Sequence, residues 1–491
     1  MKLRIYLFIF TFLLCGLHKA FTQEDTGDFV KRFYAGSQQF RSGFESYVDS
    51  VNLEFAKYLA RNWELFKIEP PEVRLLKPAP QEMPVYIPGK DEQLPTDTPA
   101  ISAPDPEDTV DVEVVVTTGK NDLQTVVREE SEGMLPNMEF FGTPLRINPL
   151  RGYETKLLET GERQIAAYWT KLAKTNYKDF INDLNRKKNT LELSSWGLYC
   201  LICEWADTHF DPQRTNEKVV FTVYMLNQAG YKAKIGRLKN SLVVMMAFKN
   251  TVYGKAYIRL GGDCYYILSE HTAVENQPVA SYKLDYGSAL SYVDLRMRTL
   301  PRLTANIRTM QRTYKDTVYT FSYDHNLMNF YNTFPQTELN VYAATPLSPV
   351  ACESMTTGLA RNLQDKDTVG KLKFLLSFVQ HGFAYQTDEE QFGREKFFFP
   401  EEMLSYPYSD CEDRAMLFCH MVKLFCGLDT LLIEYPTHVA AAVKLDISGG
   451  DAIVYNNERY IVCDPTYIGA PIARTMKGYN NATAKIIALN F

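Results

Sequence analysis

Three residues far apart in the chain have the types and flanks needed for acyl transfer through a thioester: Cys411, His438 and Asp464. Cys411 stands in YSDCEDRAMLFCHMV, where Ser409 reads as a helix N-cap and Glu412 as its capping-box partner. That spacing predicts Cys411 in the first helical turn. The unsatisfied N–H groups and the positive dipole end there favour a thiolate. Glu412 and Asp413 oppose this, because like charge raises a thiol pKa, and they also complement the helix terminus. A nucleophile needs a base within hydrogen-bond reach and an orienter for that base. His438 follows Pro436-Thr437 and opens the apolar run VAAAVKL. Asp464 ends the run RYIVC before Pro465, where a carboxylate can fix an imidazole tautomer. Each has a bland reading: a packed cysteine, an edge-strand histidine, a turn-forming Asp-Pro. Their order on helix start, strand start and strand end is what makes them a set. Of the other histidines, His420 lies nine residues after Cys411, and at 100° per residue it points to the opposite helix face.

The elements that must position this set recur earlier in the chain. CEDRAMLFCHMVKLFCGLDTLLI (411–433) reads as a helix closed by Gly427 and followed by a strand. NEKVVFTVYMLNQAGYKAKIG (216–236) has the same plan, closed by Gly230. Two further strands follow in each copy, and the shared order is offset by 197 residues. In the first copy Arg214, Ser241 and about Ser269 take the three chemical places; a two-residue shift puts Asn216 first instead. Neither alignment supplies nucleophile, base and orienter together. The first copy also lacks the insertion 386–410, so it is expected to be catalytically empty.

The run from about 350 to 475 resembles the transglutaminase-like superfamily of papain-like cysteine enzymes. The resemblance is carried by Cys411-Glu412-Asp413 with Ala415, Gly427, His438-Val439-Ala440 and Asp464-Pro465-Thr466. The surrounding wording (FFFPEEMLSYPYSDCEDRA, YPTHVAAAVKL, YIVCDPTYIGAP) looks like exported transglutaminase-like proteins of Bacteroidetes bacteria. It implies an α+β fold with a helix packed on an antiparallel sheet, and the internal repeat adds that this unit is duplicated with a degenerate first copy. It also implies Cys411 as nucleophile, His438 as base and Asp464 as orienter. The family holds hydrolases, cross-linking acyltransferases and inactive members, so three readings stand. The leading one is an exported cysteine peptidase or amidase; the others are a cross-linking acyltransferase and a non-catalytic binding or assembly protein of the cell envelope. The chain lacks the tryptophan-flanked cysteine and an obvious calcium site of animal transglutaminases. Tyr385 and Gln386, just upstream, are candidates to help an oxyanion, beside the Cys411 backbone N–H. Phe397, Phe398 and Phe399 are candidates for a groove wall, since three consecutive side chains on a strand cannot share one face.

The 491 residues are 23% charged and 45% hydrophobic, an ordinary globular balance. A net charge of -6 argues against a nucleic-acid binder, and no arginine-aromatic platform is seen. Residues 1–22 read as a signal peptide cleaved near Thr22/Gln23, with Lys2 and Arg4 before an apolar core too short to span a bilayer. The mature chain is therefore expected to be exported, periplasmic or envelope-associated, without a transmembrane span. Residues 23–69 read as a helical segment, a possible docking point for an envelope partner. Residues 70–135 read as a proline- and acid-rich spacer, with ten of the 24 prolines between 70 and 106. An alternative is that this stretch wraps a domain surface through Val85, Tyr86 and Ile87. The two units span 136–295 and 296–491, and TVYTFSYDH and ELNVYAAT are expected to supply strands between them. Cys200-x-x-Cys203 has no second pair and reads as core packing. No HExxH, paired CxxC or phosphate loop is present, so neither metal nor cofactor is expected. Asp388-Glu389-Glu390 reads as a solvated acidic turn. The expected partner is a peptide or protein substrate.

Overall fold

The computed structural model describes residues 50–73, 83–91, 97–99, 109–111, 135–268 and 277–490. The signal peptide, residues 23–49, most of the proline-rich stretch and Ser269 lie outside them. The fold is α+β, with helices packed against two antiparallel sheets.

In the second half, helix Cys411–Cys426 ends at Gly427, whose φ of 67° is the left-handed conformation a glycine adopts freely. The chain then returns as strand Thr430–Tyr435, turns through two residues, and runs back as His438–Lys444. Strand Glu458–Cys463 pairs with the far side of His438–Lys444, and Ala452–Tyr455 pairs outside it. Strand Lys485–Asn490 pairs on the other flank, against Thr430–Tyr435. Side chains alternate between two buried faces. Leu432, Val439, Ala441, Val443, Ile461 and Cys463 join the main core with the helix, while Leu431, Ile433, Ala440, Ala442 and Val462 form a separate cluster on the other face.

The first half repeats this order. Helix Thr215–Gln228 precedes strands Ala233–Leu238, Ser241–Ala247, Tyr257–Leu260 and Asp263–Leu268, and these lie in the same spatial sequence. Ala233 pairs with Met246 as Thr430 pairs with Val443, each displaced by 197 residues. Val244 pairs with Leu268 as Ala441 pairs with Cys463. A short strand, Val279–Ser281, takes the flank that Lys485–Asn490 takes in the second sheet. One continuous apolar cluster runs through both halves, from Phe55 to Leu489.

Helix 50–59 buries Phe55 and Leu59 in that cluster, and Glu64–Phe66 adds an edge strand to the first sheet. Parts of the proline-rich stretch dock on the second half. Tyr86 N–H donates to Ile468 (2.9 Å), and Ile468 N–H donates to Pro84 (2.8 Å). Asp97–Pro99 and Thr109–Asp111 add parallel strands at the two edges of the second sheet. The surface-wrapping alternative thus describes these pieces better than a free spacer does. Between the halves, Thr317–Asp324 is a strand as expected, paired with Ile307–Tyr314. The segment ELNVYAAT instead contains the helix Leu339–Ala343. A short apolar run has no period that separates strand from helix, and burial of Leu339, Val341, Tyr342 and Ala343 decided it.

Candidate active site

The helix that carries Cys411 begins one residue later than its capping pattern suggests. Ser409 lies in a two-residue strand paired in parallel with Ala384–Tyr385, and Asp410 is the N-cap. The acid at the third helical position is Asp413, whose carboxylate accepts from Asp410 N–H (3.4 Å) and Phe398 N–H (2.9 Å). Cys411 still falls in the first helical turn, as expected, and is its first residue.

His438 and Asp464 meet. His438 Nε2 lies 2.8 Å from Asp464 Oδ2, and the imidazole clusters with the rings of Tyr435 and Tyr479. Asp464 is itself fixed, because its Oδ1 accepts from Thr466 N–H (2.9 Å) and Tyr467 N–H (3.1 Å). Gln380 Nε2 ties down the same turn by donating toward the carbonyls of Asp464, Tyr467 and Ala470 at 2.8–3.1 Å. His438 Nδ1 is buried with no hydrogen-bond partner.

Cys411 lies beside this pair without bonding to it. Its sulfur accepts the backbone N–H of Val439, the residue after His438, and its thiol donates to Glu412 Oε2 at 2.8 Å. All three residues are buried: Cys411 is 1% exposed, His438 2% and Asp464 1%. Burial pushes the thiol well above its ordinary pKa, and the charges of Glu412 and Asp410 add to this. The expected thiolate-favouring effect of the helix terminus is outweighed here. Desolvation and two carboxylates oppose the charge more strongly than one helix dipole supports it.

Those carboxylates belong to a cluster that sequence reading did not find. Asp388, Asp410 and Glu412 are buried, with ligand oxygens within 4.8 Å of one another, and Asp413 adjoins them. Burial raises Asp388 to about 10, with Asp413 and Glu412 adding to the effect. Asp410 and Asp413 are pushed up in the same way, by burial first and then by Glu412. Asp388 therefore departs from the solvated-turn reading, whereas Glu389 and Glu390 are exposed as that reading requires. The signal available was two acidic runs flanking an insertion, DEE and DCED; nothing in their composition says that they meet.

Tyr385 stands at the site, half-buried, with the Arg414 guanidinium 5.5 Å from its ring centre. Its hydroxyl pKa is raised by burial and then by Cys411 and Asp410. Gln386 touches the same strand start through its backbone, N–H to Ser409 O at 3.4 Å. The three phenylalanines do not line an open groove. Each is 1% exposed. Phe397 packs edge-on against Tyr342, Phe398 stacks on Tyr406, and Phe399 stacks on Tyr331. The chain through 396–399 is not a strand, so its side chains need not alternate between two faces, and aromatic partners surround all three. His420 is structural as expected: it is fully buried, with Nε2 3.1 Å from Ala343 O, and burial lowers it to about 4. All eight cysteines beyond residue 23 are free thiols.

In the first half, Asn216 stands in the first turn of helix Thr215–Gln228. Asn216 Oδ1 accepts the N–H of Leu242 at 2.8 Å, as the Cys411 sulfur accepts that of Val439, 197 residues later. Ser241 opens the strand in the place of His438.

No family model, no curated protein and no solved structure matches this chain. Among the described residues, no helix is long and apolar enough to cross a membrane.

Proposed function

We propose that this chain is an exported cysteine acyl-transfer enzyme of transglutaminase-like, papain-like architecture, acting as a peptidase or amidase in the periplasm or cell envelope. The observation that carries the reading is the His438–Asp464 pair. Its outer nitrogen bonds the carboxylate at 2.8 Å, and its inner nitrogen, without a partner, is the atom a base would use. A cysteine at a helix N-terminus, bonded to the backbone of Val439 next to His438, completes the set. In this reading the thiol turns from Glu412 toward His438 when substrate enters. The sulfur adds to the amide carbonyl as its proton passes to His438 Nδ1. The proton then leaves with the amine, and water resolves the thioester with His438 as base; an amine in place of water gives cross-linking. The shared strand order and register of the two halves support a duplication whose first copy, with Asn216 and Ser241 in the chemical places, is inactive.

A second reading is favoured by a specific observation. Cys411 is buried, bonded to Glu412 and raised in pKa, as befits a binding or assembly protein that keeps the fold without using the thiol. Alkylation of Cys411 by iodoacetamide at pH 6 to 7 separates the two. The enzyme reading expects labelling faster than a free peptide thiol and slowed by His438→Ala. Labelling no faster than the peptide thiol, and indifferent to His438→Ala, assigns the chain to the binding class.

A further inference from the structure

Asp388 and the two acids at the start of the Cys411 helix, Asp410 and Glu412, form a buried carboxylate cluster in which side-chain pairing leaves Asp410 unresolved. Asp410 is fully buried; its side chain takes the capping-box position toward the Asp413 N–H, yet neither carboxylate oxygen closes a hydrogen bond. An ionised carboxylate in that position is normally paired or bound to a metal. One oxygen from each of Asp388, Asp410 and Glu412 lies within 4.8 Å of the other two. The cations built into the neighbourhood are committed elsewhere. Arg414 gives its guanidinium to the carbonyls of Ser409, Val379 and Phe383, at 3.5, 3.3 and 2.6 Å. Lys396 Nζ pairs with Glu402 at 2.9 Å, and only its backbone N–H reaches Asp388.

We propose that Asp388, Asp410 and Glu412 form a binding site for one hard divalent cation, calcium in preference to magnesium. The donor set is carboxylate oxygen alone, which selects hard ions over zinc or copper. Oxygens up to 4.8 Å apart can surround an ion with bonds of about 2.3–2.6 Å, the calcium range, whereas magnesium demands a tighter octahedron. The ligands come from two segments, the short helix Asp388–Phe392 and the start of helix Cys411–Cys426. The ion would therefore staple the 386–410 insertion to the helix it leads into. Glu389 and Glu390, exposed beside Asp388, mark the side from which an ion would enter. The site stands whether or not Cys411 is a nucleophile.

The test uses the full mature chain stripped with chelator, titrated with calcium chloride by calorimetry and followed by thermal melting. One equivalent of calcium per chain, a melting temperature that climbs with calcium, and a smaller rise with magnesium are expected. Asp410→Asn and Asp388→Asn should abolish both signals. Because each removes a crowded charge and keeps the side-chain size, the ion-free variants should melt no lower than the ion-free wild type. Should either fail to fold, Glu412→Gln is the replacement. No heat and no melting shift at millimolar calcium would overturn the site and leave the carboxyls sharing protons instead. So would a calcium response that survives in these variants.

Discussion

Replacing Asp464 by asparagine separates the chemical duty of this carboxylate from its structural one. Oδ1 accepts two backbone N–H groups, of Thr466 and Tyr467, at 2.9 and 3.1 Å. An asparagine carbonyl can keep both. Oδ2 accepts from His438 Nε2 at 2.8 Å. An asparagine NH2 there donates instead, so Nε2 must lose its proton and Nδ1 must carry it. The nitrogen meant to receive the thiol proton is then already protonated. A hydrogen bond to a charged group contributes roughly 1.5–3 kcal/mol, which is about 10- to 150-fold in the population of a thiolate–imidazolium pair. Alkylation of Cys411 at pH 7 should fall by that factor in Asp464→Asn, while the melting temperature barely moves. Asp464→Ala should do worse on both counts. Two buried N–H groups lose their acceptor at about 1–3 kcal/mol each. Alkylation within twofold of wild type in a stable Asp464→Asn protein would refute the assignment of Asp464 as orienter.

Phe397→Ala, Phe398→Ala and Phe399→Ala should each destabilise the fold by about 3–5 kcal/mol, since all three rings are enclosed, and denaturant melts will measure this. A loss below about 1 kcal/mol at any of them would mean that the ring is not in the core. Burial raises Glu401 to about 7 from 4.5, despite donation from Ser348 and Tyr331, and Asp324 adds to the rise. The folded protein therefore holds a proton more tightly than the unfolded chain. That contribution is fully present below about 4.5 and is lost as pH climbs through about 7, an effect of roughly 3 kcal/mol. Glu401→Gln should flatten this part of the stability profile between pH 5 and 8; parallel profiles for variant and wild type would show that the carboxyl is already ionised in the folded state.

The parts of the site that could be read from the chain were those whose function is written locally. A glycine in the left-handed region closes a helix wherever it stands, so Gly427 and the strands after it were legible. His438 and Asp464 were legible because each sits at an element boundary. The cap slipped by one residue because Ser409 and Asp410 are both good N-caps, and the pairing of Ser409 with Tyr385 chose between them. The buried carboxylates were not legible. Asp388 and Asp410 lie 22 residues apart, and only the course of the intervening loop brings them together. Tyr479 was missed for the same reason: it reaches the His438 ring from a turn near the C-terminus that carries no chemical signature.

The correspondence between Asn216 and Cys411 bears on how a silent form of this protein is best made. Both side chains act as a peg for an N–H of the second strand of the hairpin, and in one half the peg happens to be sulfur. Alanine at 411 would remove reactivity and the peg together, so any loss of binding in that variant would be ambiguous. Asparagine would remove the reactivity while supplying the oxygen that the molecule already uses at 216. A bait built that way keeps the seam between helix and sheet closed, and whatever it captures reports on recognition alone.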